Sequence, residues 1–319
     1  MSIICLADQT EHETIKALHA HLRHFKIKQA SYYQQYHPRL CKGTGQPIPY
    51  KDYEQYWSQD FIDKNAIKEF LTKEPAKGRE WAINWLRKRK EEKGLVYAPS
   101  QVELRSLQCP SQPYFDFVGG YYHITRELGF KDRYRDEVPS FTHTITGVIQ
   151  DSREQQPLKL GIKTVVAKVN EGDYGLSEND LGVYIERKGL GDFVGTLSSR
   201  SIERVKSEDS NLARFDRELA RATKQGHYIV MLVEASIQTA LEYNDPKSPH
   251  YVESMKWSSA SPSYVFKNLR DLLTKYPLSF QAVFMDGRVN AAQKALRIFQ
   301  MGDQVRRVDL QNALEKGLL

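Results

Sequence analysis

Glu186 and Lys188 stand two positions apart at the end of the apolar run in YIERKGLGDFVGTLSS (184–199), and their types and spacing point most directly to chemistry. In a strand, side chains at i and i+2 share a face, so a carboxylate and an ammonium converge on one spot. A second acid, Asp173 in KVNEGDYGL, follows another strand-like run and sits between the turn residues Gly172 and Gly175. An Asp, a spacer and Glu-x-Lys form the set that a metal-dependent phosphodiesterase needs. Carboxylate oxygens hold hard divalent cations, and a lysine orients water or steadies a charged phosphate. Glu-x-Lys alone is equally a mark of a solvated strand face. The neighbourhood favours chemistry, because GVIQDSRE (147–154) brings Asp151 and Glu154 to the end of another short apolar run, and Asp192 falls where a helix should begin.

Taken together, GVIQDSREQQPL, EGDYGL and VYIERKGLGDFVGTL resemble the nuclease domain of the XPF family of structure-specific DNA endonucleases, within the broader PD-(D/E)xK nuclease superfamily. The ERKxxxD signature of that family stands here as Glu186, Arg187, Lys188 and Asp192, and its preceding Gly-Asp pair as Gly172 and Asp173. Similarity continues through NLARFDRELARATKQGHYIVMLVEAS toward the C-terminus and covers 145–319. The resemblance implies a restriction-endonuclease-like fold, a Mg²⁺ or Mn²⁺ cofactor, and cleavage of branched, flapped or distorted DNA in repair or recombination. It also implies pairing through the nuclease domain, as a homodimer or with a related subunit. Asp173, Glu186, Lys188 and Asp192 are then the catalytic residues. Asp173 and Glu186 are the central metal ligands, with Asp192, Asp151 and Glu154 completing the acidic cluster, and Lys188 acts at the scissile phosphate. Two other readings use the same fold: a DNA-binding or scaffolding partner without catalysis, and a sequence-specific restriction or mobile-element endonuclease. The intact acids and lysine speak against the first. Members of the family often carry tandem helix-hairpin-helix motifs after the nuclease; only RRVDLQNALEKGLL follows here, and no Walker lysine motif occurs.

The elements that would position these residues follow from periodicity. Strand patterns are expected at 147–150, 164–170, 182–187, 228–234 and 280–285, and helical patterns at 192–199, 211–225, 263–276 and 289–300. Their alternation predicts an α/β domain, a mixed sheet with helices on both faces, gathering Asp151, Asp173 and Glu186 at one sheet edge. Arg187 falls on the opposite strand face from Glu186 and Lys188, as a structural ion pair or a contact to a DNA phosphate. Arg153, between Asp151 and Glu154, is open to the same two readings.

Further DNA contacts are expected after the signature, where Arg200, Arg204, Lys206, Arg214, Arg217 and Arg221 recur at near-helical spacing. Glu208, Asp209, Asp216 and Glu218 lie among them and offer ordinary surface pairing instead. Residues 1–144 read as a mainly helical, aromatic-rich region and a candidate DNA-recognition module. Within it, Arg87, Lys88, Arg89 and Lys90 form a positive run behind Trp81 and Trp85, fit either to dock on a DNA backbone or to be a solvated helix face over buried tryptophans. His37 and Cys41 lack a second cysteine pair nearby, so a complete zinc site is not expected there. A chain of 319 residues suits two domains, and its net charge of +6 agrees with a polyanionic partner. Three scattered cysteines indicate a reducing compartment, and no run has the length of a membrane span. The expectation is a soluble intracellular protein, cytoplasmic in a prokaryotic or viral setting and nuclear in a eukaryotic one.

Overall fold

The run YIVMLV at Tyr228–Val233 is apolar and buried at every position, as a strand covered on both faces must be. It lies inside a six-stranded mixed sheet in a computed structural model that describes residues 2–107, 109, 111–178, 181–198, 210–256 and 258–319. Counting from the N-terminus, a short antiparallel pair, β1 (Ile3–Ile4) and β2 (Glu11–His12), is followed by β3 (Val148–Asp151), β4 (Thr164–Ala167), β5 (Tyr174–Leu176), β6 (Val183–Lys188), β7 (Tyr228–Val233) and β8 (Phe280–Phe284). The order across the sheet is β4-β3-β5-β6-β7-β8. β5 runs antiparallel to β3 and β6, while β6, β7 and β8 are mutually parallel neighbours.

Helices α1 (Ile15–His24), α2 (Gln29–Tyr36), α3 (Tyr53–Ser58), α4 (Lys64–Lys73), α5 (Pro75–Lys93), α6 (Gln101–Ser106), α7 (Gln112–Phe115) and α8 (Tyr121–Glu127) precede the large sheet. Within and after it come α9 (Leu190–Leu197), α10 (Asn211–Gln225), α11 (Ile237–Glu242), α12 (Pro262–Lys275), α13 (Gly287–Gln300) and α14 (Leu310–Glu315). The chain divides into two compact units, Met1–Ala82 with Leu107–Gly119, and Ile83–Ser106 with Gly120–Leu319. Segments 83–106 and 120–144 therefore cluster with the sheet, although they precede residue 145, where the family resemblance begins. Arg133 shows how they are tied in: it pairs with Glu103 at 3.2 Å and donates to the Phe280 carbonyl of β8 at 2.8 Å, with both charged side chains buried. In the first unit Tyr32, Tyr33 and Tyr56 are fully buried, and the Tyr33 and Tyr50 rings stack at 5.0 Å.

Two apolar layers enclose the large sheet. Ile229, Met231 and Val233 of β7 pack with residues of α9, α10, α11 and α12 on one face; Tyr228, Val230 and Leu232 pack with α13 and α14 on the other. Each such fully buried aliphatic side chain contributes about 1.5–3 kcal/mol. Local signals fix the helix that matters most. Ser210 caps α10 by accepting from the Ala213 N–H, Phe215, Leu219 and Ala222 supply its buried face, and Gly226 ends it with φ 72°. Among the described residues, no helix is long and apolar enough to cross a membrane.

Candidate active site

β6 alternates as its sequence predicts. Val183 and Ile185 enter the core beside α13, which places Arg187 on that face too; Glu186 and Lys188 face the side of α9 and α10. Lys188 Nζ lies 2.5 Å from Glu186 Oε1, and Glu186 is only 8 % exposed. Asp173 reaches the same spot because of the glycine before it. Gly172 has φ 66°, and a Cβ there would stand 2.9 Å from the Ile185 carbonyl oxygen, so no other residue fits without a shift. That close approach lets the Asp173 N–H donate to the Ile185 carbonyl at 2.8 Å, while Asp173 Oδ2 accepts from the Arg187 N–H at 2.8 Å. The Gly-Asp pair is thus a clasp that fixes one carboxylate against the backbone of the strand bearing Glu186 and Lys188.

Burial, then repulsion from Glu186, pushes the Asp173 carboxyl up to about 7. Glu186 is also raised, because burial outweighs the attraction of Lys188. Burial pulls the Lys188 ammonium down, but Glu186 and Asp173 more than compensate and its pKa ends above the usual lysine range. The site therefore holds more negative charge than its one lysine neutralises. Two adjoining clefts, of about 800 Å³ and 500 Å³, open over it and share Arg153, Glu186, Lys188, Asp192, Arg214 and Glu218. Asp192 comes from the first turn of α9, and Arg214 and Glu218 from the polar face of α10.

Two expected metal ligands line the smaller cleft and are engaged there by arginines. Asp151 is buried, with both oxygens saturated by Arg153: Oδ1 accepts from the Arg153 N–H and Nε at 2.7 and 2.9 Å, and Oδ2 from Arg153 Nη2 and the Val169 N–H at 2.7 and 3.1 Å. The Arg153 hydrogen bonds hold its carboxyl down at about 2. Glu154 lies against Arg187, 3.3 Å from Nε, and Glu234 at the end of β7 completes the pair at 2.9 Å from Nη1. Arg187 thereby forms a buried ion pair; its side chain is 6 % exposed. Strand alternation puts Arg187 on the opposite strand face from Glu186 and Lys188, where it meets two acids that need neutralising at the edge of the smaller cleft. Arg153 differs, with its side chain 71 % exposed at the rim even though it holds Asp151.

Glu218 belongs to the site although its sequence neighbours suggested a surface pair; its Oε1 accepts from the Gly172 N–H at 2.8 Å and so braces the clasp. The signal was present in α10, where burial of Phe215, Leu219 and Ala222 leaves Arg214, Glu218 and Arg221 together on one polar flank. Arg221 pairs with Glu171 at 3.2 Å and lines a neighbouring cleft of about 400 Å³ with Arg153 and Lys168. Arg200 and Arg204, together with Lys206, Glu208, Asp209 and Trp257, lie outside the described residues. On α5, Arg87 donates to Asn84 at 2.6 Å and Lys88 lies 3.7 Å from Glu92, both side chains exposed. Arg89 is half-buried, and Trp81 is in the core with its Nε1 donating to Asp60.

Among the described residues, the acids of the cleft do not bring three donor atoms within 4.8 Å of one another; only Cys5, Asp8 and His21 do so. The donors still suit a small hard cation. Mg²⁺ is commonly held by one or two carboxylates, its remaining ligands coming from water and substrate phosphate. Asp173 and Glu186 offer two such carboxylates, both with their ionised forms disfavoured until positive charge arrives. Comparison of the chain with protein-family models, curated proteins and solved structures gave no match.

Proposed function

We propose that the chain is a divalent-metal-dependent DNA endonuclease with a restriction-endonuclease-like core of the XPF type, acting on branched, flapped or distorted DNA. One observation carries the reading: Asp173 is hydrogen-bonded to the backbone of β6 directly beside Glu186 and Lys188. Asp173 and Glu186 would hold Mg²⁺ or Mn²⁺, which when bound supplies Lewis acidity at the phosphate and a nucleophile at neutral pH. Lys188, kept protonated by its acidic neighbours, stabilises negative charge developing on the scissile phosphate and orients the attacking water. Asp192, in the same cleft, helps keep that ammonium charged. Arg153 and Arg214 at the rim, and Arg221 along the adjoining cleft, are suited to phosphates on either side of the cut. Pairing of two copies through this domain belongs to the same proposal.

The test is incision of end-labelled linear duplex, flap, fork and four-way junction DNA with Mg²⁺ or Mn²⁺. Cutting confined to the branched substrates and dependent on the cation is the expected result. Cutting of linear duplex at a fixed sequence would favour the restriction or mobile-element reading. Tight binding without incision under every metal condition would leave a DNA-binding partner in place of an enzyme.

A further inference from the structure

The first eight residues of the described chain and the helix that follows gather three donors of a kind the nuclease site does not use. The Cys5 sulfur, a carboxylate oxygen of Asp8 and a ring nitrogen of His21 all lie within 4.8 Å of one another. Ligands each about 2.0–2.3 Å from a shared tetrahedral ion stand roughly 3.3–3.8 Å apart, so donors within 4.8 Å close on one cation by moving together by at most about 1.5 Å. Cys5 is fully buried, and its thiol hydrogen-bonds to Asp8; His21 Nε2 is 2.7 Å from Asp8 Oδ2. His12 packs beside His21, with ring centroids 4.6 Å apart, but stands outside the donor trio.

Topology gives the arrangement its meaning. Cys5 follows β1, Asp8 lies in the turn and His21 sits on α1, so two donors come from a hairpin and one from the next helix. The spacing from Cys5 to Asp8 and on to His21 is that of a hairpin-helix zinc module, with Asp8 where a second cysteine commonly stands. The hairpin is held by the Cys5 N–H donating to the Thr10 carbonyl at 2.8 Å and by Thr10 Oγ1, which contacts both Asp8 and His21. Its two strands pair over only two registered positions, and Gln9 in the turn takes a positive φ of 63°, a conformation costly for any residue but glycine.

We infer that Cys5, Asp8 and His21, with a solvent molecule in the fourth position, form a site for a borderline-soft divalent cation, Zn²⁺, that clasps the β1–β2 hairpin to α1. Binding releases the Cys5 thiol proton to solvent, shifts the His21 Nε2 proton to Nδ1 by exchange with solvent, and replaces the Asp8–His21 hydrogen bond with two metal bonds. Mixed sulfur, nitrogen and oxygen donors distinguish it from the all-oxygen nuclease centre, and its existence does not depend on that centre being catalytic.

Metal analysis of the full-length protein, followed by Co²⁺ replacement, tests the site. The expected result is one tightly held equivalent of Zn²⁺ and, in the Co²⁺ form, a thiolate-to-cobalt charge-transfer band with the visible bands of tetrahedral coordination. Cys5→Ser should abolish the band, while Cys41→Ser, Cys109→Ser and Asp173→Asn should keep it. His21→Cys should keep metal and shift the band through a second thiolate, which separates loss of a ligand from loss of fold. Absence of any thiolate band in the wild-type chain titrated with Co²⁺, or a band that survives Cys5→Ser, would overturn the assignment.

Discussion

The backbone N–H of Arg187 donates to Asp173 Oδ2 over 2.8 Å, so one residue of the Glu-Arg-Lys triplet positions an acid with its main chain while its side chain is buried in a different ion pair. The two functions are separable. Substitution of the Arg187 side chain leaves the amide that holds Asp173, whereas a change at Gly172 moves the acid itself.

Gly172→Ala is expected to strain a left-handed backbone and press a methyl group on the Ile185 carbonyl, destabilising the chain by ~1–3 kcal/mol. Displacement of Asp173 should lower the incision rate by tenfold or more, on the scale by which an ångström of misplacement affects catalysis, roughly 10²-fold. Thermal unfolding and single-turnover cleavage check the two effects together; wild-type values for both would mean that the turn does not set the acid's position.

Arg187→Met removes the partner of Glu154 and Glu234 in a buried setting. Breaking one side of such a pair costs about 3–5 kcal/mol, because the acids are left uncompensated. Urea denaturation should show this loss of stability, and DNA affinity measured below the transition should stay near that of the wild type. A selective loss of DNA binding with unchanged stability would put Arg187 at the phosphate backbone instead.

Divalent-ion affinity should rise with pH and level off above about 7, because Asp173, raised by burial and by Glu186, must release its proton to bind a cation. The same shift acts on the metal-free fold with a definite sign. A carboxyl raised in the folded state stabilises below its unfolded pKa, and that contribution is lost as pH rises from about 4 through about 7. Asp173→Asn should accordingly gain stability relative to the metal-free wild type between pH 5 and pH 8, a window on the order of that shift. Calorimetric Mn²⁺ titrations across pH, paired with chemical unfolding of both proteins in chelator, measure the two trends. A pH-independent affinity would show that Asp173 is already ionised.

Arg214→Ala, at the rim of both clefts, should weaken binding of all DNAs alike and reduce the slope of log affinity against log salt by about 1. Fluorescence anisotropy over a salt series reads the slope; an unchanged slope would remove this arginine from the phosphate path.

Much of the sheet was legible because its strands are short apolar runs ended by acids. β3, β6, β7 and β8 fall within a residue or two of the expected spans, and the α10 span from Asn211 to Gln225 is as expected. β4 stops at Ala167, short of the expected 170. β5 was missed, since three residues behind Gly172 and Asp173 give no period to read, yet its antiparallel pairing between β3 and β6 is what brings Asp173 to Glu186. The acids could not be sorted by sequence either. Glu154, Arg187 and Glu234 meet only across folded strands, and Asp151 is taken by a neighbour two residues away. Cys5, Asp8 and His21 escaped notice because an aspartate in a cysteine's place removes the usual paired-cysteine signal.

The assignment of Asp173, Glu186 and Lys188 as a catalytic centre is tested most directly by Mg²⁺- or Mn²⁺-dependent cleavage of labelled flap and junction DNA by the wild type, Asp173→Ala and Lys188→Ala, with DNA binding measured in parallel. Incision by the wild type that both substitutions abolish, at undiminished DNA affinity, is the predicted result. Incision that persists in both variants, or its absence from the wild type with every divalent cation, would contradict it.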